Sequence, residues 1–419
     1  MTIVDRPIFD EVESLRGIKI VDVDTHLTEP GDIWTSRAPR EYAELVPRIV
    51  ATEDLGPALR AQAQERAMLG QTSKQSVWVV GNDTVLGPAG NGSVINRRNE
   101  KVRGSIFIDW PVGEASPAAS FVEPRVAMMD ALGVWAQVIY PNVVGFGGQN
   151  FALIPDMKLR NLCATLWNDA MAENQQESGQ RLFGMAMLPW WDIDASVREI
   201  ERVHGLGLKG VVMSADPQTA GQPDLAERHW DPVWEALQAC GLPLNFHVGA
   251  SATQRSYFGT TPWPSFSNEK KLAVGSAMLQ LGNARILANV IFSGICDRFP
   301  GLKIVSVESG IGWIPFFLEG LDYQAAESNV EFELRPSEYF QRQMYACFWY
   351  EGRAGQRFID DARAVGIDNC MFETDFPHPT CLYPEPIRHV APSLELVDYE
   401  TRKKLLSTNA ARVYNLDIS

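Results

Sequence analysis

The chain has 419 residues, enough for one elaborated barrel domain or for two ordinary domains. Its 45% hydrophobic content supports a globular core, and a net charge of −15 excludes binding to nucleic acid or an anionic membrane through a general basic surface. No apolar run reaches the roughly 20 residues that span a bilayer, and residues 1–17 are mixed and acidic, unlike a signal segment, so a cytoplasmic enzyme is expected.

In chain order, the first strand is predicted at 18–24, a short apolar run. About a hundred residues follow, roughly 30–133, before the next strand at 136–140, far more than a normal crossover needs. Within this excursion, 76–80 and 84–86 flank Gly81-Asn82-Asp83 and read as a β-hairpin, which we expect at the catalytic mouth. Leu159, Leu162, Cys163, Leu166, Trp167, Ala170 and Met171 recur at helical spacing. Strands are then predicted at 182–188 and 209–214. A helix follows that Asp231 can cap, Pro232 can open and Gly241 can end. The fifth strand is placed at 243–248. A smaller excursion, 251–268, carries Tyr257, Phe258, Trp263 and Phe266. The last three strands are placed at 289–293, 303–308 and 371–375.

These strand candidates lack strict in/out alternation, as expected of parallel strands covered on both faces. Alternation with helices predicts an α/β fold closed into a (β/α)8 barrel, with 1–419 as a single domain and a long insertion after the first strand. An open doubly wound sheet is the alternative, but no glycine-rich phosphate loop follows the first strand. The six cysteines contain no Cys-x-x-Cys pair and read as free thiols of a reducing compartment.

Of the six histidines, His26, His247 and His378 end or closely follow predicted strands; His204, His229 and His389 lie in helical segments and read as structural or exposed. In a parallel barrel the strand C-termini meet at one face. Asp24 and His26, two apart, share one side of a strand. With His247 and Asp375 they make four ligands able to converge on a divalent metal, zinc first, manganese or iron as alternatives. Each feature has a plainer reading. Asp-x-His alone is a weak motif, and a strand-terminal histidine is more often a satisfied core or loop residue. Glu308 faces the site or forms an ion pair or helix cap. Glu29 reaches a second metal or anchors its turn. His378 supports Asp375 or orders the loop. Trp190 and Trp191 wall a pocket or simply pack.

Five blocks carry a resemblance: Val-Asp-Val-Asp-Thr-His-Leu-Thr-Glu-Pro at 21–30, the His247 segment, Phe-Ser-Gly-Ile-Cys-Asp-Arg-Phe-Pro-Gly-Leu-Lys at 292–303, Glu-Ser-Gly-Ile-Gly-Trp-Ile-Pro at 308–315 and Glu-Thr-Asp-Phe-Pro-His at 373–378. Together with Leu-Ser-Thr-Asn-Ala-Ala-Arg-Val-Tyr at 406–414, the chain resembles the amidohydrolase-related family. The branch is that of aminocarboxymuconate semialdehyde decarboxylase and γ-resorcylate decarboxylase. The resemblance implies metal ligation by Asp24, His26, His247 and Asp375, with Asp375 also moving a proton. Two departures stand out: Asp-x-His replaces the His-x-His of many relatives, and 291–294, read as the sixth strand end, lacks the branch's catalytic histidine. The expected activity is therefore metal-dependent hydrolysis or decarboxylation of a small aromatic or alicyclic organic acid. Alternatives are a dinuclear iron or manganese oxygenase and a non-catalytic metal-binding subunit paired with an active paralogue. The expected partner is a small-molecule substrate, in a homo-oligomer or a hetero-oligomer with a paralogue.

Overall fold

The computed structural model of the protein describes residues 12–66, 76–90, 92–251 and 263–419. Its strands, in chain order, are β1 (Val21–His26), β2 (Arg48–Ala51), β3 (Ser76–Val80), β4 (Thr84–Pro88), β5 (Ala136–Tyr140), β6 (Leu182–Gly184), β7 (Ala186–Met187), β8 (Val211–Val212), β9 (Leu244–His247), β10 (Ile304–Val307), β11 (Met344–Phe348) and β12 (Cys370–Phe372). β1, β5 and β6 form one parallel sheet, and β7 to β12 form a second in sequence order. Every residue of β1, β5, β9, β10 and β11 is buried, which explains the missing alternation.

Two sets of hydrogen bonds join these sheets. At Met185, between β6 and β7, the chain turns its bonding from one neighbour to the other: the Met185 N–H donates to Ile139 O (2.8 Å) and the Ala186 N–H to Gly210 O (3.0 Å). Past β12, the Asp375 N–H donates to Asp24 O (2.9 Å), and the His26 N–H to Phe376 O (2.7 Å). The resulting fold is a TIM-barrel-type α/β arrangement.

The hairpin expected at 76–86 is present as β3 and β4. The structure adds an antiparallel partner, β2, with no clear pattern in the sequence. This small sheet has its own apolar cluster of Leu55, Ala63, Val77, Val79 and Val85. Beyond it, the Val94 N–H donates to Pro377 O (2.9 Å) and Tyr383 Oη to Asn99 O (2.7 Å), so this stretch packs on the chain that follows β12.

One strand assignment is corrected. Residues 289–293 lie at the end of helix Gly282–Phe292, whose buried residues Ile286, Leu287, Val290 and Ile291 form a helical stripe. A short apolar run does not separate strand from buried helix by itself. The sixth parallel strand, counting β6 and β7 as one path, is therefore β10, and β11 is the seventh. Helix Asp231–Cys240 ends at left-handed Gly241 as expected, but Asp231 is its first residue and makes no side-chain cap. Instead Asp231 pairs with Arg298 at 3.1 Å.

Candidate metal centre

The backbone of β1 sets the centre. Its register against β5 shifts between Asp22 and Thr25, and both Asp24 and His26 are fully buried. Asp22 ties this bulge down. It accepts from the Thr374 N–H (2.8 Å), the Thr374 hydroxyl (2.6 Å) and the Gln137 amide (3.1 Å). The buried Arg125 guanidinium donates to the carbonyl oxygens of His26 and Ala118 and to Gln137. Burial pushes Asp22 up to about 7 and Arg125 down to about 9.

The two imidazoles are fixed from behind. His26 Nδ1 faces Pro141 O at 3.2 Å, and His247 Nδ1, at the end of β9, faces Val248 O at 2.7 Å. Each Nδ1 is thereby assigned the proton, which leaves the Nε2 lone pair free, the arrangement of a metal-binding histidine. Asp375, three residues past β12, and Glu308, directly after β10, both have positive φ, +58° and +53°. Such backbone is costly for a residue other than glycine and persists where its surroundings fix it.

The side-chain ends converge. His247 Nε2 is 3.3 Å from Asp24 Oδ1 and 3.5 Å from Glu308 Oε2. His26 Nε2 is 3.6 Å from Asp24 Oδ1 and 3.8 Å from Asp375 Oδ1. Donors bound at about 2.1 Å to one ion stand roughly 3.0 to 4.2 Å apart, which each of these neighbouring pairs matches; the donors fall into two overlapping sets, Asp24, His26, His247 and Glu308, and His26, Glu308, Asp375 and His378, each within 4.8 Å of one another. Both Asp24 carboxylate oxygens, His26 Nε2, His247 Nε2 and Asp375 Oδ1 are buried without a hydrogen-bond partner. Unsatisfied buried polar atoms are rare, and five converging at one place fit a cation.

The charge states follow. Burial, then Asp375 and Asp22, holds Asp24 well above the usual carboxylate range; burial, then Asp375 and Asp24, does the same to Glu308. Burial, then neighbouring His378 and His247, pushes His26 well down, and burial takes His247 to about 4. Both histidines are thus neutral near pH 7, the state in which imidazole binds a metal.

The remaining candidates fall around this cluster. His378 stacks on His26 (centroids 3.7 Å apart), with Nδ1 3.2 Å from Asp375 Oδ1 and Nε2 3.3 Å from Asn142 Oδ1. Thr380 Oγ1 donates to Asp375 Oδ2. Glu29 Oε1 accepts from the N–H groups of Asn142 (2.7 Å) and Val143 (2.8 Å), which favours the turn anchor over the second metal. Trp190 and Trp191 are core residues. Trp190 Nε1 donates to Gly147 O (2.9 Å) and braces a neighbouring feature that the sequence pattern does not announce.

That feature is Phe146. Its ring lies 4.8 Å from His26, 4.4 Å from His247 and 5.6 Å from His378. It sits between Gly145 at φ +82° and Gly147, where a Cβ would come within 2.4 Å of Met213 O. A phenylalanine flanked by such glycines is the one signal the sequence carries for it. His204 and His229 are exposed, and His389 Nε2 is 2.9 Å from Tyr350 O. Of the 251–268 aromatics, Trp263 and Phe266 stack at 5.6 Å, whereas Tyr257 and Phe258 lie outside the described residues. No described helix is long and apolar enough to cross a membrane.

The amidohydrolase family pattern matches residues 21–416. The chain is 27% identical over 326 residues to a γ-resorcylate decarboxylase of Polaromonas sp. (strain JS666), an alignment covering 74% of this chain and 91% of that protein. Among solved structures it resembles an amidohydrolase of Mycobacterium avium subsp. paratuberculosis, with a TM-score of 0.71 at 20% identity over 95% of this chain and 99% of that one. It also resembles a dihydroxybenzoic acid decarboxylase of Polaromonas sp. JS666 with bound manganese and the inhibitor 2-nitroresorcinol, with a TM-score of 0.59 at 19% identity over 96% and 98% of the two chains. At these identities the structural likeness speaks for the fold.

Proposed function

The chain belongs to the amidohydrolase family, and from that premise we propose that it is a metal-dependent decarboxylase of a small aromatic carboxylic acid. In this reading residues 1–419 form one (β/α)8 barrel domain. The excursion at about 30–133 forms part of its mouth, in keeping with the hydrogen bond that the Val94 N–H donates to Pro377 O and the one that Asn99 O accepts from Tyr383 Oη, both on the chain after β12. The carrying observation is the convergence of unpartnered buried atoms from Asp24, His26, His247 and Asp375. These four residues would hold one divalent ion. A bound ion would supply Lewis-acid polarisation of a substrate oxygen. Manganese is favoured over zinc by the structurally similar dihydroxybenzoic acid decarboxylase, which holds manganese; two carboxylates and two imidazoles accept either ion.

The residues divide the remaining work. Phe146 offers an apolar face beside the imidazoles against which an aromatic ring can lie. As the bond from ring carbon to carboxyl carbon breaks, the electron pair stays on the ring carbon and CO2 departs. Asp375, in its protonated form, delivers a proton to that carbon. Thr380 and His378 hold the Asp375 carboxylate in place. Hydrolysis would use the same residues to activate water; the aromatic-acid decarboxylases among the relatives favour loss of CO2.

The test is a panel of hydroxylated benzoic acids, with CO2 release and aromatic product followed together on manganese-loaded protein. In D2O the product should carry one deuterium at the carbon that lost CO2. Ester or lactone hydrolysis without CO2 release from any panel member would overturn the decarboxylase reading.

A further inference from the structure

We propose that Glu308 is a fifth ligand of the same ion, an inference that rests on the metal-site reading above. Two sets of residues bring their donor atoms within 4.8 Å of one another: Asp24, His26, His247 and Glu308; and His26, Glu308, Asp375 and His378. Only His26 and Glu308 belong to both. Glu308 is therefore the carboxylate common to both sides of the cluster; the Asp24–His247 side and Asp375 do not all fall within 4.8 Å of one another, so Asp375 closes in by a side-chain shift when all five residues hold the ion.

Its contact with His247 supports ligation over simple pairing. The separation is 3.5 Å, and His247 Nε2 still lacks a hydrogen-bond partner, although Glu308 Oε2 stands beside it. A direct N–H···O bond would draw the atoms to about 2.7–3.2 Å. Two donors bound at about 2.1 Å to one ion stand roughly 3.0 to 4.2 Å apart, a range that includes this separation. The side chain is also delivered there by a dedicated backbone arrangement. Glu308 has φ +53°, and its N–H is held by Glu373 Oε2 at 3.2 Å. Asp375 reaches the cluster from the same kind of positive-φ backbone.

The donor set would then hold three carboxylates and two imidazoles. Zinc is satisfied by four donors and favours nitrogen and sulfur, whereas manganese accepts more oxygen donors in a larger shell. Glu308 would thus set metal preference at the end of β10.

The full-length protein, stripped with chelator, is titrated with Mn2+ by calorimetry and with Co2+ by visible absorption. Wild type, E308Q, E308A, E308D and H247A are compared. The inference expects E308Q to weaken Mn2+ binding at least tenfold and to intensify the cobalt d–d bands as the coordination number falls; E308D should recover part of both. An unchanged Mn2+ affinity together with an unchanged cobalt spectrum in E308Q would overturn it. If E308A does not fold, the near-isosteric E308Q carries the test. Failure of the broader reading looks different: wild type and H247A would then bind neither ion measurably. Retained binding in wild type with loss in H247A upholds the metal site, and the E308Q titration then decides the role of Glu308 alone.

Discussion

The substitution Asp24→Asn should stabilise the metal-free protein while removing its stabilisation by metal. Asp24 and Glu308 place carboxylate oxygens within 4.8 Å of each other in a buried site. Fully ionised, two such charges would repel by about 3 kcal/mol at an effective dielectric constant of about 20; because burial and the neighbouring carboxylates hold both groups well above the usual carboxylate range, that figure is a ceiling approached only at alkaline pH. The asparagine amide, short of partners, returns roughly 1–2 kcal/mol of that gain. A net gain of at most about 1–2 kcal/mol remains, fullest at alkaline pH. Unfolding entropy near 2.1 cal/mol/K per residue gives about 0.9 kcal/mol/K for 419 residues, so at alkaline pH metal-free D24N should melt up to about 1–2 °C above the metal-free parent. Metal at a hundred times its Kd should stabilise the parent by about 2.7 kcal/mol, or about 3 °C, with about 1.5 °C more for each further tenfold. In D24N most of that increment should vanish. Differential scanning calorimetry of both proteins across a Mn2+ series is the assay. A metal-free D24N that melts below the parent, or one that keeps the full metal-dependent rise, would refute the idea that a cation offsets the charge on Asp24.

Three further outcomes follow from the same geometry. Asp375→Asn should leave a folded protein with at least about a hundredfold less turnover, the lower range of an acid–base contribution, and a metal-saturated variant turning over at the parental rate would remove Asp375 from the chemistry. Phe146→Ala should raise KM for an aromatic acid about tenfold while changing kcat little, since loss of one aromatic contact costs about 1 kcal/mol beyond its buried area; steady-state kinetics showing a fall in kcat alone would contradict a binding role. Glu29→Gln tests a titrating group away from the ion. Burial raises Glu29 from its ordinary 4.5 to about 7, so the fold favours its neutral form. Its stabilisation is full below about pH 4.5 and is lost as pH rises through about 7. Glutamine keeps an acceptor for the Asn142 and Val143 N–H groups and never ionises. E29Q should melt with the parent below pH 4.5 and up to about 3 °C above it at pH 8, the equivalent of at most about 3 kcal/mol; a lower melting temperature at pH 8 would contradict the assignment.

How legible the site was in the sequence depended on how each residue is delivered. Asp24, His26 and His247 lie within β1 and β9, whose apolar composition announces them, and strand ends converge in any parallel barrel-type fold. Asp375 was legible despite lying beyond β12 because a charged residue closes an apolar run. Phe146 was not, because a loop aromatic gains its meaning from Gly145 and Gly147, and only the fold reveals that Gly147 must pass close to Met213. The Asn289–Ser293 run illustrates a deeper limit. Its apolar residues suit a buried strand or the inner face of a helix, and the structure makes it helix because the stripe continues back to Ile286 and Leu287. That one assignment changes the chemistry inferred. With 289–293 taken as the sixth strand, the position after it lacks any acid–base group, which weighs against decarboxylation. With β10 in that place, the position holds Glu308, an ionisable side chain within 3.5 Å of His247. Where the resemblance implies a histidine, this chain then carries a carboxylate, which can join Asp24, His26 and His247 around a cation as an imidazole donor would.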